Sequence, residues 1–191
     1  TVINGLPRVD ALLLNATSAE NLSADNLSYY LSVSDAEGES IKNITTWYRN
    51  SSSIMLLNMP YEADGVDNAT DYSGLGLNGS NIVNAVWNAT GGYDGKGSYE
   101  FDGTASMTVG DSINPYTNAQ VLIGSFETWV KTTNFTNADD YIFDIEGYFN
   151  AYLDWNNTHN VLAARLACPS NKYLYDNSPV VKDKWYHYVV T

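Results

Sequence analysis

The amino-acid sequence predicts an all-β protein, and three observations support this prediction. Aromatic residues make up 13% of the 191 residues and include 15 tyrosines, a composition typical of strands because aromatic side chains pack well on a pleated surface. Several segments alternate polar and apolar residues with a period of two, as expected for strands with one buried face. No stretch of about ten residues or more repeats with the helical period of 3.6, so we expect no appreciable α-helix.

Short strands and polar turns are predicted in the first part of the chain. The strand candidates are Val9–Leu14, Tyr29–Ser34, Ile41–Arg49 and Ile54–Leu57. The Ser34–Gly38 segment lies between the second and third candidates and reads as a turn.

A signature in this part resembles an immunoglobulin-like segment found in surface proteins of archaea. The pattern is SDAxG followed by WYxN, and the matching residues are Ser34, Asp35, Ala36, Gly38, Trp47, Tyr48 and Asn50. The resemblance implies a small immunoglobulin-like sandwich segment at 1–57 with Trp47 in its core. Because a complete domain of this type needs about 100 residues, the segment is either reduced or completed by strands from elsewhere.

The second part of the chain contains seven strand candidates. They are Ser98–Phe101, Ser106–Val109, Phe126–Lys131, Tyr141–Ile145, Phe149–Trp155, Val161–Leu166 and Lys184–Thr191. In the Phe126–Lys131 strand, Phe126, Thr128 and Val130 share one face, and the intervening residues share the other.

Two glycine-rich stretches precede or include these strands. The first, Asp71–Gly79, reads D-x-S-G-x-G-x-x-G, and the second, Gly95–Gly103, reads G-K-G-x-Y-x-F-D-G. Together they resemble the opening of laminin-G-like domains of the concanavalin type, and Phe126–Lys131 and Trp185–Thr191 resemble two later strands of that family. The resemblance implies a jelly roll at 58–191, whose final strands are missing or supplied by another chain.

Charge and hydropathy exclude some classes of partner. With 9 Lys plus Arg against 22 Asp plus Glu, the net charge is −13, so no basic patch is available for nucleic acid or an anionic membrane surface. The longest apolar runs, Ala11–Leu14 and Ile54–Leu57, are far shorter than the roughly 20 residues of a membrane span. The lone cysteine, Cys168, cannot form an internal disulfide and is expected to be buried.

The strongest compositional signal is the number of N-glycosylation sequons. The Asn-x-Ser/Thr motif begins at Asn15, Asn21, Asn26, Asn43, Asn50, Asn68, Asn78, Asn88, Asn134 and Asn156. The residue counts predict about four such motifs by chance. Abundant Asn, Ser and Thr in turns offer an alternative explanation, but the excess favours a heavily N-glycosylated extracellular protein.

A calcium site is the leading candidate for bound metal. Ca²⁺ takes six to eight oxygen ligands, and Asp71 and Asn78 lie in the glycine-rich turn, with Asp102 at the end of the following strand. The resemblance supports Asp71 and Asp102 as ligands. The alternative is that each aspartate caps its own turn.

Catalysis is not expected. Asp144 and Glu146 share a strand face, as a pair of glycosidase carboxyls would. The hydrolases that this segment resembles have the pattern E-x-D-x-x-E, but this chain has Phe149 in place of the third carboxylate. The two histidines, His159 and His187, are isolated.

The sequence therefore predicts a structural extracellular glycoprotein that assembles with copies of itself through β-strand edges, in a cell-surface filament or surface layer. The alternative is a carbohydrate-binding or adhesion module, with or without calcium, in which exposed Trp and Tyr stack on sugars. Trp87 and Trp155 are the candidate tryptophans for that role.

Overall fold

The computed structural model describes residues 4–20, 22, 24–62, 69–110, 124–135, 139–145, 148–155, 160–166 and 170–191. These residues form fourteen strands and no helix, which confirms the all-β prediction. In the part of the chain described, no helix is long and apolar enough to span a membrane. The chain divides into two compact units, Thr1–Thr45 and Thr46–Thr191.

The first unit is an antiparallel hairpin. Strands β1 (Arg8–Ala16) and β2 (Leu27–Ser34) pair with a bulge between Val9 and Ala11. None of the described residues of this unit is buried, and Leu12, Leu13 and Leu14 are 56–64% exposed. Since neighbouring side chains point to opposite faces of a strand, this hairpin presents apolar groups on both faces.

The second unit begins with a tight hairpin that the sequence analysis missed. Strands β3 (Tyr48–Arg49) and β4 (Ser52–Ser53) are joined by Asn50 and Ser51, which both have positive φ. Two positive φ values in a two-residue loop define a type I′ turn. The strand predicted at Ile41–Arg49 is therefore wrong in extent, since only Tyr48 and Arg49 belong to β3. The strand predicted at Ile54–Leu57 is wrong, because β4 ends at Ser53.

Two more small antiparallel sheets follow. In one, β5 (Gly79–Val83) pairs with β8 (Ser106–Val109), and in the other, β6 (Val86–Asn88) pairs with β7 (Ser98–Glu100). The predicted strands at 98–101 and 106–109 are thus present, whereas β5 and β6 were not predicted. Their residues lack a clean polar and apolar alternation.

The two larger sheets contain the remaining strands. Strands β9 (Phe126–Lys131) and β14 (Trp185–Val190) form a two-stranded sheet. The other sheet is an antiparallel meander of β10 (Asp140–Ile145), β11 (Phe149–Trp155), β12 (Asn160–Leu166) and β13 (Lys172–Tyr175). All of these strands except β13 were predicted from the sequence, each with both ends within one residue.

The main hydrophobic core joins these two sheets. Its buried members are Phe149, Ala151, Leu153, Leu162, Ala164, Val180 and Tyr188. From β9, Phe126 and Val130 pack against this cluster, while Glu127, Trp129 and Lys131 are exposed. The predicted assignment of faces in β9 is confirmed.

The immunoglobulin-like and jelly-roll assignments, and the boundary predicted at Leu57, stay predictions.

We predict that Leu162→Ala lowers the free energy of unfolding by about 2–5 kcal/mol, because it leaves a cavity in the core. Leu162 is 6% exposed and packs in the main cluster. Urea denaturation followed by circular dichroism measures the change. Leu75→Ala is the control, since Leu75 is 54% exposed and its truncation should change stability by less than about 0.5 kcal/mol. Equal losses in the two variants would contradict the assignment of the core.

Candidate functional site

The four-stranded sheet carries a ladder of aromatic side chains on the face opposite the core. Tyr141 pairs with Tyr152, Tyr152 with Ala163, and Ala163 with Tyr175, so one row crosses all four strands. The rings of Tyr141 and Tyr152 lie 5.7 Å apart. Because Ala163 occupies little space, Tyr152 and Tyr175 can meet above it, and they form a side-chain hydrogen bond.

A second row beside the ladder is polar. Asp144 pairs with Asn150, Asn150 with Arg165, and Arg165 with Tyr173. The Asn150 Nδ2 group donates a hydrogen bond to Asp144. Tyr173 and Tyr175 point to the same side of β13, with parallel rings 6.3 Å apart.

A pair of carboxyls borders the ladder on its other side. Since Asp140 pairs with Leu153, the antiparallel register places Asp139 opposite Asp154. The pKa of Asp139 is raised by partial desolvation and by the charge of Asp154, with which it shares a hydrogen bond. Two carboxyls this close are unfavourable when both are ionised, so the pair holds a proton more readily than an isolated carboxyl.

We call these two rows and the carboxyl pair the tyrosine face. Its members are Asp139, Tyr141, Asp144, Asn150, Tyr152, Asp154, Ala163, Arg165, Tyr173 and Tyr175. Burial raises the pKa of the Tyr152 hydroxyl, with a further contribution from Tyr175, so Tyr152 stays neutral and can donate a hydrogen bond.

Two buried polar atoms of this face have no hydrogen-bond partner among the described residues. They are the Oδ1 atom of Asn150 and the Nε atom of Arg165. Asn150 is 3% exposed. A buried polar group without a partner costs about 1–3 kcal/mol, and such groups are rare enough to mark a place where a ligand or water completes the bonding.

The Asp71 carboxylate organises the first glycine-rich turn. Its Oδ1 atom accepts hydrogen bonds from the amides of Asn58 and Ser73, both at 2.9 Å. Its Oδ2 atom accepts them from the Ser73 hydroxyl at 2.6 Å and the Leu77 amide at 3.0 Å. The Asp71 amide in turn donates to Asn78 Oδ1 at 2.9 Å.

These bonds bear on the predicted calcium site. A carboxylate has about four lone-pair positions, and at Asp71 four donors use them. Asp102 accepts hydrogen bonds from the amide and hydroxyl of Thr104, at 2.8 and 2.7 Å, which closes its own turn. A Ca²⁺ ion would have to displace these donors, and the described residues contain no group of three or more His, Cys, Asp or Glu suited to a metal. The calcium site stays a prediction.

The remaining acidic, histidine and cysteine residues singled out in the sequence are not brought together among the described residues. Asp144 lies on the tyrosine face, whereas Glu146, His159 and Cys168 lie outside the described residues. His187 contacts Glu127 at 2.7 Å on the exposed side of the β9–β14 sheet. These positions bring no nucleophile and base together among the residues described.

The exposed side of the β9–β14 sheet holds a stack of rings. Tyr93 lies parallel to Trp129 at 3.7 Å, Trp129 is stacked on His187 at 4.7 Å, and Trp185 meets Tyr93 edge-on. Because Tyr93 belongs to the glycine-rich loop at 91–97, this stack fixes that loop to the sheet. Of the predicted sugar-stacking tryptophans, Trp87 donates its Nε1–H to the Tyr61 carbonyl, and the Trp155 side chain is not among those described.

Most of the sequons within the described residues are on the surface. Exposed asparagines are Asn15, Asn26, Asn43, Asn50, Asn78 and Asn134, and Asn88 is half-buried. Asn21, Asn68 and Asn156 lie outside the described residues.

The β14 strand borders a cleft that opens into the core. The cleft has a volume of about 420 Å³ and is lined on one side by Leu162, Ala164 and Leu174, and on the other by Tyr188–Thr191. The Tyr188 hydroxyl at its base donates to the Ala163 carbonyl at 2.7 Å, and burial raises the pKa of Tyr188 to about 12.

Comparisons with known proteins returned no similarity to this chain. No protein-family model, no curated protein and no solved structure matches it. The geometry above therefore carries the argument about function.

The sequence did not reveal the tyrosine face. Alternation along Phe149–Trp155 could have separated Asn150, Tyr152 and Asp154 from the core residues. The rows, however, depend on which residues pair across strands, and short strands without a two-residue turn do not fix that register.

We predict that Asp71→Asn destabilises the protein by about 2 kcal/mol at neutral pH, because an amide group would face donors that now bond to a carboxylate. Burial opposes ionisation of Asp71, but hydrogen bonds from Ser73, Asn58 and Leu77 lower its pKa below the ordinary 3.8. The folded form thus favours the ionised carboxyl, and its stabilising contribution is complete above about pH 4 and lost as the pH falls further.

Urea denaturation at a series of pH values tests this prediction. The difference between wild type and Asp71→Asn should shrink below about pH 4. Asp102→Asn is the control. The Asp102 carboxyl is exposed and bonded within its own turn, so this substitution should lower the free energy of unfolding less than Asp71→Asn does. A pH-independent difference would contradict the role of the Asp71 charge.

Proposed function

We propose that this chain is a structural, N-glycosylated extracellular protein that assembles with copies of itself through β-strand edges, as a subunit of a cell-surface filament or surface layer. The observation that carries the proposal is the edge of β14 and the cleft beside it. Strand β14 pairs with β9 on one side, and in the part of the chain described no strand pairs with its other side.

An open strand edge beside a cleft favours β-augmentation. Main-chain N–H and C=O groups along β14 supply hydrogen bonds to an added strand, and pockets beside the edge accept its alternate side chains. Here the cleft would receive such side chains between Leu174 and Val190, above Leu162 and Ala164.

The β1–β2 hairpin of a second copy is the occupant that the chain offers. A two-stranded hairpin is marginally stable in water by itself, and its apolar residues on both faces are typical of strands that are covered on both sides. Val9, Leu12, Leu13, Leu14, Leu27, Tyr29 and Tyr30 are 43–64% exposed.

The size of this surface suits a specific interface. Seven side chains at about 100 Å² each provide roughly 700 Å², close to the about 800 Å² that each partner contributes to a standard interface. Burial of apolar area at this scale supplies the main driving force for association.

The sequons fit the same arrangement. Asn15 and Asn26 lie where β1 ends and β2 begins, at the turn of the hairpin, while Leu12–Leu14 carry no sequon. Glycans at the turn would project from an assembly and leave the apolar part of the hairpin available for docking. Glycosylation in turn requires a secretory route, which supports an extracellular location.

We predict that the purified protein forms assemblies and that Leu12→Asp combined with Leu14→Asp reduces them to monomers. Burying two carboxylates in the interface would cost more free energy than docking of the hairpin releases. Sedimentation velocity from about 1 to 100 µM and electron microscopy measure the outcome. Leu174→Asp, on the acceptor side, should have the same effect.

The matched control is Ile54→Asp combined with Leu75→Asp, which adds the same charge at residues 62% and 54% exposed. This variant should assemble as the wild type does. A wild type that stays monomeric over the whole range, or assemblies that persist in the Leu12 and Leu14 double variant, would refute the proposal.

We also predict that the protein from its native source has a mass above the 21.0 kDa of the chain, because glycans occupy several exposed sequons. Peptide mapping by mass spectrometry should find them on Asn15, Asn26 or Asn43. Unmodified peptides at every sequon would overturn the glycoprotein assignment without affecting the test of assembly.

A further inference from the structure

Four tyrosines on the tyrosine face form a continuous series of neighbouring side chains. The rings of Tyr141 and Tyr152 lie 5.7 Å apart. Those of Tyr173 and Tyr175 are parallel and lie 6.3 Å apart. A hydrogen bond between the side chains of Tyr152 and Tyr175 joins the two pairs. Tyr152 is 4% exposed and the other three are 47–58% exposed, so the series leads from solvent to a buried phenol and back to solvent.

The hydrogen bond between Tyr152 and Tyr175 places two phenol hydroxyls next to each other across β12. Tyr152 pairs with Ala163 and Ala163 with Tyr175, so side chains from β11 and β13 meet above the small alanine. The ortho carbon, which is the ring carbon beside the hydroxyl, is then close to its counterpart on the other ring. Two tyrosines join through these carbons in dityrosine, and the two hydroxyls of dityrosine lie side by side as they do here.

Carboxyls near Tyr152 can accept the proton that a phenol releases when it is oxidised. Asp154 and Tyr152 share one face of β11 because side chains alternate along a strand. The charges of Asp154 and Asp139 act on the Tyr152 hydroxyl. These two carboxyls share a hydrogen bond, and their like charges make the pair hold a proton more readily. A proton acceptor is thus present beside the buried member of the series.

The composition of the chain favours a cross-link through tyrosine over one through cysteine. The single cysteine cannot form an internal disulfide, whereas the chain has 15 tyrosines. On the core side of the same sheet the large rings of β10 and β11 include Phe143 and Phe149. Phenylalanine has no hydroxyl and cannot form a phenoxyl radical, so this chemistry is restricted to the outer face of the sheet.

We propose that the tyrosine face is a site of oxidative cross-linking, at which Tyr152 and Tyr175 join as dityrosine. The co-reactant is hydrogen peroxide, acting through a one-electron oxidant of the peroxidase class. Each phenol loses one electron and its hydroxyl proton, and the two phenoxyl radicals form a carbon–carbon bond between their ortho carbons. The hydrogens on those carbons then move to the oxygens and restore both phenols. Hydrogen peroxide takes up two electrons and two protons and becomes two molecules of water.

The exposed tyrosines connect the oxidant to the buried one. A peroxidase can reach the rings of Tyr141 and Tyr175 at the surface, and Tyr152 lies next to both, so it can pass an electron to either ring once that ring is oxidised. The resulting bond joins β11 to β13 across β12. It restricts the unfolded chain as a disulfide does. This modification goes beyond the proposed structural role and does not depend on assembly through β14.

Oxidation of the whole chain in dilute solution with hydrogen peroxide and a haem peroxidase tests the proposal. Dityrosine has a blue fluorescence that tyrosine lacks, and the linked chain is lighter by two hydrogen atoms. Denaturing gel electrophoresis separates monomers from chains linked to each other. We expect proteolysis and tandem mass spectrometry of the monomer band to find the peptides of Tyr152 and Tyr175 joined. The linked chain should unfold at a higher urea concentration than the unoxidised chain.

Two variants remove one hydroxyl each and keep the ring. Tyr175→Phe and Tyr152→Phe should both abolish the joined peptides, lower the fluorescence yield of the monomer and remove the shift in urea concentration. The matched control is Tyr48→Phe, since Tyr48 is 55% exposed and lies outside the tyrosine face. This variant should give the wild-type yield. Circular dichroism confirms that each variant is folded.

Protein from the native source should carry the same joined peptides without added oxidant. The inference is overturned if this material lacks the link, or if the oxidised wild type forms only links between chains or between Tyr173 and Tyr175. Unchanged fluorescence of the monomer in both Tyr175→Phe and Tyr152→Phe would also overturn it. Failure of the hairpin variants to alter assembly would refute the proposed structural role and leave this result unaffected.

Discussion

The contact between the β9–β14 sheet and the four-stranded sheet is the constraint on which the second unit depends. The ring of Phe126 lies 5.2 Å from Phe143, 5.5 Å from Phe149 and 6.0 Å from Tyr188, so one residue joins three strands from two sheets. Neither sheet can bury its apolar face without the other. The positions of the cleft and of the tyrosine face both follow from this packing.

A two-stranded sheet covers a four-stranded sheet only in part. The cleft beside β14 is the place where cover is lacking. It is lined by the core residues Leu162 and Ala164 of β12, the exposed Leu174 of β13, and Tyr188–Thr191. The β1–β2 hairpin presents a related difficulty, since its apolar side chains are exposed on both faces and a two-stranded hairpin is only marginally stable by itself. Assembly between copies would satisfy both deficits through one kind of contact, which is why we favour it over two unrelated explanations.

The two faces of the four-stranded sheet have opposite chemistry because side chains alternate along each strand. On one side, Phe149, Ala151 and Leu153 enter the core, and on the other, Asn150, Tyr152 and Asp154 form the tyrosine face. Among the described residues, the polar side keeps two buried atoms without hydrogen-bond partners, at a cost to stability that an apolar face would avoid.

Composition and alternation were enough to predict the all-β class, ten of the strand positions in part or whole, and the buried side of β9. They determined these because period-two alternation is a local property of the chain. The hydrogen bond from Asn58 to Asp71 and the tyrosine rows were decided by tertiary structure. They join residues separated in sequence, such as Ala163 and Tyr175, and pairing across strands is set by packing and register rather than by local pattern.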